Sequence, residues 1–107
     1  MNDSTFYRLW LDALGQDSLD LYIAEYGYPD WFDEISSDAN EIAKTLTSIH
    51  TAAHTSINSL VKESGLSKAA FARRYCIPIR TLEDWCAGKA KCADYIRLFI
   101  IKDMGLL

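Results

Sequence analysis

Apolar residues recur along this chain at spacings of three and four, and no stretch sustains the apolar–polar alternation of a half-buried strand. The pattern predicts an all-α chain. Phe6, Leu9, Trp10, Ala13 and Leu14 share one face over residues 4–14, with the Asp3-Ser4 pair as cap and Gly15 as stop. Leu19, Tyr22, Ile23 and Tyr26 line a second short helix, 19–26, capped by Asp17 or Ser18. Gly27-Tyr28-Pro29 breaks it, and Pro29 favours a fresh helical turn over 30–35. From Asp38 the series Ile42, Leu46, Ile49, Ala53, Ile57, Leu60 runs toward Gly65. This is one long helix or two that break near His54-Thr55-Ser56, the break or bend being preferred; the β-branched Thr45, Thr47, Thr51 and Thr55 lower its helical propensity, so tertiary packing must hold it.

Residues 66–88 carry a tighter pattern. Ser67 can cap a helix, and Leu66 just before it can pack on Phe71 as a staple, although Ala70 stands where a capping box has its acid. Phe71 and Tyr75 fall on the inward side, and Arg73 points away. Cys76-Ile77-Pro78 makes a turn, with Pro78 suited to the first turn of the helix that follows. On that helix Leu82 and Trp85 face inward. At about 100° per residue, Arg80 lies opposite them, with Glu83, Asp84 and Ala87 on the outward half. Gly88 ends it. The final helix, 93–104, carries Ile96, Leu98, Phe99, Ile100, Ile101 and Met104. That apolar surface is wider than one stripe, which implies deep burial or half of a dimer seam.

Charge sharpens the picture. The net charge is −4, but residues 1–57 carry ten acids against Arg8 and Lys44, while residues 58–107 carry nine Lys or Arg against five acids. The basic half coincides with the 66–88 pattern and suits a polyanion. The expected organisation is an acidic helical region over 1–55, serving packing, dimerisation or partner binding, followed by a second domain over 56–107. No basic leader followed by an apolar run opens the chain, and Leu98–Ile101 is far shorter than the ~20 residues of a membrane span. With no run of that length, no membrane partner is expected, and three cysteines, an odd number, favour reduced thiols and a cytoplasmic protein.

Catalytic or metal chemistry has little to stand on. His50 and His54 lie one helical turn apart, but two ligands fall short of a zinc site and both sit at the edge of the apolar stripe. Cys76, Cys86 and Cys92 form no C-x-x-C pair and read as small buried hydrophobes. Nucleophile–base constellations and phosphate-cradling glycine loops are missing, so the expectation is no enzyme, no metal and no cofactor. Tyr26, Tyr28, Trp31 and Phe32, crowded into YGYPDWF among acids, serve either the core or a partner-binding surface.

Gly65-Leu66-Ser67-Lys68 with Phe71-Ala72, then Ile77-Pro78, Arg80-Thr81-Leu82-Glu83-Asp84-Trp85 and Gly88, resemble the lambda-repressor-like (Xre-type) helix-turn-helix family over residues 56–104. The resemblance implies a helix-turn-helix DNA-binding domain in which Lys68 and the segment Pro78, Ile79, Arg80, Thr81, Glu83 approach double-stranded DNA, with Phe71, Leu82 and Trp85 as inner scaffold. Cys76 stands where the family usually has glycine or another small turn residue, Cys86 replaces a common acid, and Cys92 a common proline. No counterpart of the family's fifth helix is expected, and the first 55 residues are expected to take its place. By their own chemistry, Arg80 can read guanine, and Arg73, Arg74, Lys89 and Lys91 can meet phosphates. Glu83 and Asp84 repel phosphate, although Glu can accept from cytosine N4, and their spacing from Arg80 suits a tether. The expected function is a sequence-specific transcriptional regulator, a repressor acting as a homodimer. The alternative is an antitoxin-like interaction module that captures a protein through the aromatic N-terminal half, with weak or no DNA binding.

Overall fold

The structure, a computed structural model, describes residues 1–107 and is helical throughout, without a strand. Its elements are α1 (Asp3–Leu14), α2 (Leu19–Tyr26), a 3-10 turn (Asp30–Glu34), α3 (Ala39–Ala53), α4 (Ile57–Ser64), α5 (Lys68–Arg74), α6 (Ile79–Cys86) and α7 (Asp94–Asp103). They divide into two compact units, Met1–His54 and Thr55–Leu107. No helix is long and apolar enough to cross a membrane.

In the first unit, side-chain caps start all three helices. Asn2 accepts from the Thr5 N–H at 2.9 Å, so α1 starts one residue earlier than the Asp3-Ser4 pair suggests, with Asp3 inside its first turn. Ser18, rather than Asp17, caps α2 by accepting from the Leu21 N–H, and Asp38 caps α3 through the Asn40 N–H. Both α1 and α2 pack on α3, burying Leu9, Trp10, Ala13 and Tyr22 with Ile42, Leu46, Ile49 and Ala53. The Tyr22 hydroxyl donates to the Leu9 carbonyl at 2.9 Å. The 3-10 turn folds back onto α1: Thr5 donates to Glu34 at 2.7 Å, and the Arg8 guanidinium sits 4.4 Å from the Trp31 ring centroid.

The histidines close the far end of α1. A helix C-terminus leaves carbonyls without intrahelical partners. His50 Nε2 lies 2.7 Å from the Gln16 carbonyl, and His54 Nε2 lies 2.7 Å from that of Ala13. A carbonyl only accepts, so each ring donates through Nε2, and the two rings lie with centroids 4.4 Å apart at a tilt of 40°. Sequence spacing marks His50 and His54 as edge residues. Their bonds reach 34 and 41 positions back along the chain, and His50 is buried.

α3 stops at Ala53, and Ser56 restarts the helical direction by capping α4 through the Ser59 N–H at 3.1 Å. The second unit is built on α4, which packs against α5, α6 and α7. Ile57, Leu60, Val61, Phe71, Ala72, Leu82, Cys92, Leu98, Ile100 and Ile101 are its buried side chains. Arg97 of α7 donates to the Thr55 carbonyl at 2.8 Å and to Asp94 at 2.7 Å, which fixes α7 to the segment leading into α4.

Two predictions follow from the first unit's polar core. His50→Ala leaves the Gln16 carbonyl only the longer 3.2 Å contact from His54 Nε2 and opens a void, so urea unfolding should lose about 1–3 kcal/mol; an unchanged midpoint would deny the histidine its clamping role. Burial pushes the Tyr22 hydroxyl up to about 12, and burial together with the bond to Asp12 raises Tyr26 as well. The folded unit therefore holds these protons more tightly than the unfolded chain, whose tyrosines titrate near ~10. The stabilisation is full below pH ~10 and falls as pH rises through about 12. Tyrosinate absorbance and helical circular dichroism should change together in that window. Ionisation of every tyrosine near pH ~10 with helix retained would contradict this.

Candidate nucleic-acid interface

α5 and α6 are short, and the four residues between them decide where α6 points. Ser67 opens α5 by accepting from the Ala70 N–H at 3.1 Å. At its other end the Ile77 N–H donates to the Ala72 carbonyl at 2.9 Å, and the Cys76 N–H to that of Arg73 at 3.3 Å. This is the paired closure of a Schellman motif, which needs a left-handed residue at the turn. Cys76 supplies it at φ 55°. The end of α6 closes identically: Lys89 N–H to Asp84 carbonyl, Gly88 N–H to Trp85 carbonyl, and Gly88 at φ 76°. Cys76 thus occupies a glycine-type backbone position and carries a Cβ there at a steric cost.

Pro78 is the N-cap of α6 rather than part of its first turn. Its ψ of 132° keeps it outside the helix while its carbonyl accepts from the Leu82 N–H, leaving Ile79 as the first helical residue. Leu82 is fully buried. Trp85, expected beside it, is only half-buried. Ile79 is 44% exposed, and Pro78, Arg80 and Glu83 are exposed with it, while Thr81 and Asp84 are half-buried on the flanks. Asp84 therefore lies less far out than helical angles alone suggest.

Arg80 forms no ion pair with Glu83 or Asp84, in contrast to Arg74 with Asp103 and Arg97 with Asp94. The expected tether is not made. In open solvent such a pair gains at most about 1 kcal/mol and loses side-chain freedom, so an extended arginine competes well. Lys68 at the start of α5, Arg73 near its end, and Lys89 and Lys91 in the loop after α6 are all exposed. Arg74 is the exception among the cations. It donates to Asp103 at 3.1 Å and to the Tyr75 hydroxyl at 3.3 Å, and that hydroxyl donates to the same Asp103 oxygen at 2.8 Å. These bonds hold the Asp103 carboxyl below its ordinary range, the Tyr75 bond first and the Arg74 bond next. The partner is 29 residues away, so nothing local in the sequence announces it.

The aromatic segment of the first unit is largely spent on its own packing. Phe32 is buried, and Tyr26, Trp31 and Tyr28 set their rings edge-on around it at centroid distances of 5.4, 4.9 and 5.4 Å. Tyr26 also donates to Asp12 at 2.7 Å. Of the four, only Tyr28 stands in solvent, 52% exposed. The three cysteines are unlinked: Cys76 is exposed, Cys86 half-buried, and only Cys92 is the buried small hydrophobe expected of all three. Leu66, expected to cover Phe71, stays exposed as well.

No protein-family model matches the chain, and no curated protein or solved structure matches it either.

The left-handed turn yields a stability ordering. Cys76→Gly removes a Cβ penalty of about 1–2 kcal/mol but costs roughly 0.5–1 in chain entropy, so the net change should be a gain of about 0–1.5 kcal/mol. Cys76→Val, β-branched, should lose at least about 1 kcal/mol relative to wild type. Thermal denaturation of the three proteins checks the order. Valine as stable as glycine would mean that residue 76 is not left-handed.

Proposed function

We propose that the chain is a sequence-specific DNA-binding transcriptional regulator of the lambda-repressor-like type, a repressor acting as a homodimer. In this reading α5 and α6 are its helix-turn-helix, and α6 enters the major groove. The observation that carries it is the division of α6 into a buried Leu82 and an exposed row of Ile79, Arg80 and Glu83, in which Arg80 is not neutralised by the carboxylates beside it. An arginine so disposed can meet guanine O6 and N7 with two parallel bonds, and Glu83 can accept from a cytosine N4. Lys68, Arg73, Lys89 and Lys91 would hold the phosphates on either side. A homodimer would read half-sites about 34–36 Å apart. The first unit, with ten acids against Arg8 and Lys44, favours a polyanion less than the second does.

The test is selection from random duplexes, then binding of the enriched site across a salt series. Arg80→Ala should weaken that site by about 1–3 kcal/mol and relax one base position. Arg73→Ala should lower the salt slope by about one unit, and Arg74→Ala by less, since Asp103 already engages its guanidinium. A selection that enriches no motif, or an Arg80→Ala protein that binds as tightly as wild type, would end this reading. Protein capture through the first unit is the competing one, favoured by exposed Leu11, Leu21 and Tyr28. It requires binding that survives Arg80→Glu and is lost on altering Trp31 and Tyr28.

A further inference from the structure

α7 is not buried all round. Leu98, Ile100 and Ile101 face the core of the second unit, yet Tyr95 and Phe99, one turn apart, are 64% and 63% exposed with their rings edge to face. Beside Phe99 a groove of about 460 Å³ runs between α7 and the end of α5, lined by Ile77, Ile96, Phe99 and Ile100 and rimmed by Arg74, Tyr75 and Asp103. One face thus carries both an apolar ridge and an apolar hollow. An isologous interface needs both on the same patch, because each copy presents the same surface to the other.

We propose that this face is where two copies of the chain associate, α7 against α7 in antiparallel fashion about a twofold axis near Phe99. The proposal rests on the homodimer part of the reading above and assigns it a surface. Three observations favour a second copy over another occupant. The first is the ridge beside the hollow. The second is polar complementarity. Positions equidistant from Phe99 meet across such an axis, which brings Tyr95 of one copy to Asp103 of the other. The Tyr95 hydroxyl makes no hydrogen bond within the chain, and Asp103 uses only Oδ2, on Tyr75 and Arg74, which leaves Oδ1 to accept. The third is area. Rings of this kind bury about 150–250 Å² when fully covered, so Tyr95 and Phe99 have roughly 200–300 Å² left to cover. Ile77 and Ile96, which line the groove and are partly exposed as well, bring the apolar total toward roughly 300 Å². A stable dimer buries about 800 Å² per partner, somewhat over half of it apolar. The rim residues Arg74, Tyr75 and Asp103 would add polar area to the apolar patch.

Sedimentation equilibrium of the full chain without DNA, over a concentration series, tests the proposal independently of base reading. Wild type should sediment as a dimer. Phe99→Glu and Tyr95→Glu should each raise the dissociation constant by on the order of 30-fold or more, with helicity and melting of the diluted monomer unchanged. Tyr28→Glu, which alters an exposed aromatic of the first unit, should stay dimeric. A second readout separates this proposal from the DNA reading: Phe99→Glu should weaken the paired site while keeping the base preference of a single half-site. A monomeric wild type overturns the proposal and leaves the groove to a different occupant. Undiminished dimers from both glutamate variants overturn it equally. Loss of base preference only in Arg80→Ala leaves it standing.

Discussion

The role proposed for the second unit depends on where an eight-residue helix is held. α6 has no side-chain cap, and a helix of two turns has no stability of its own in water. Its orientation comes from Leu82, fully buried with α4 and α5 packed around α6, and from the paired closing bonds at Ala72 and Arg73 that aim the chain into Pro78. Pro78 then fixes φ at the threshold and gives its carbonyl to Leu82. The side chain that packs the helix and the turn that aims it meet at one backbone bond. Ile79, Arg80 and Glu83 face solvent as a consequence of that anchoring.

The helical period made the helices legible from the sequence, because each element packs one stripe and the stripe sets the period. α2 begins and ends at the residues its pattern indicates, and α3 yields to α4 within His54-Thr55-Ser56, where a hydroxyl cap is available. What stayed hidden was set by partners far along the chain. His50 and His54 take their roles from α1's terminal carbonyls, and Arg74 takes its role from Asp103. Helical angles say that Arg80 lies within reach of Glu83 and Asp84. Whether reach becomes a bond depends on solvent and side-chain entropy, which angles do not contain. The cap of α1 and the position of Pro78 moved by a single residue each, as helix ends do when neighbouring residues can both serve.

Charge is divided between the units, but formal charge overstates what the basic one has to spare. Arg97 is committed to the Thr55 carbonyl and Asp94, and Arg74 to Asp103 and Tyr75. Both tie α7 to the rest of its unit. Lys68, Arg73, Arg80, Lys89 and Lys91 are exposed cations of α5, α6 and the loop after α6. The arginines that anchor α7 and the cations available to a polyanion are therefore different residues. This allows the scaffold to be probed by substitution without stripping the candidate interface, and the interface without loosening the scaffold.

Size sharpens the meaning of α7's uneven burial. A unit of about fifty residues buries only roughly 60% of the surface its unfolded chain exposes, which leaves its stability marginal. Leaving two large rings of α7 in water forgoes burial such a unit can hardly spare, unless another surface covers them. If a second copy does so, association and folding are linked, because whatever binds only the folded form stabilises it by mass action. The Arg74–Tyr75–Asp103 link then has two consequences at once. It fixes α7 to the end of α5, and it sets the rim of the groove that the second copy would meet. A change at Asp103 would loosen the scaffold and the interface together, whereas a change at Phe99 would reach only the interface. That asymmetry comes from the geometry of α7, whose buried residues hold the unit together while Tyr95 and Phe99 stand in solvent, where the proposed second copy would cover them.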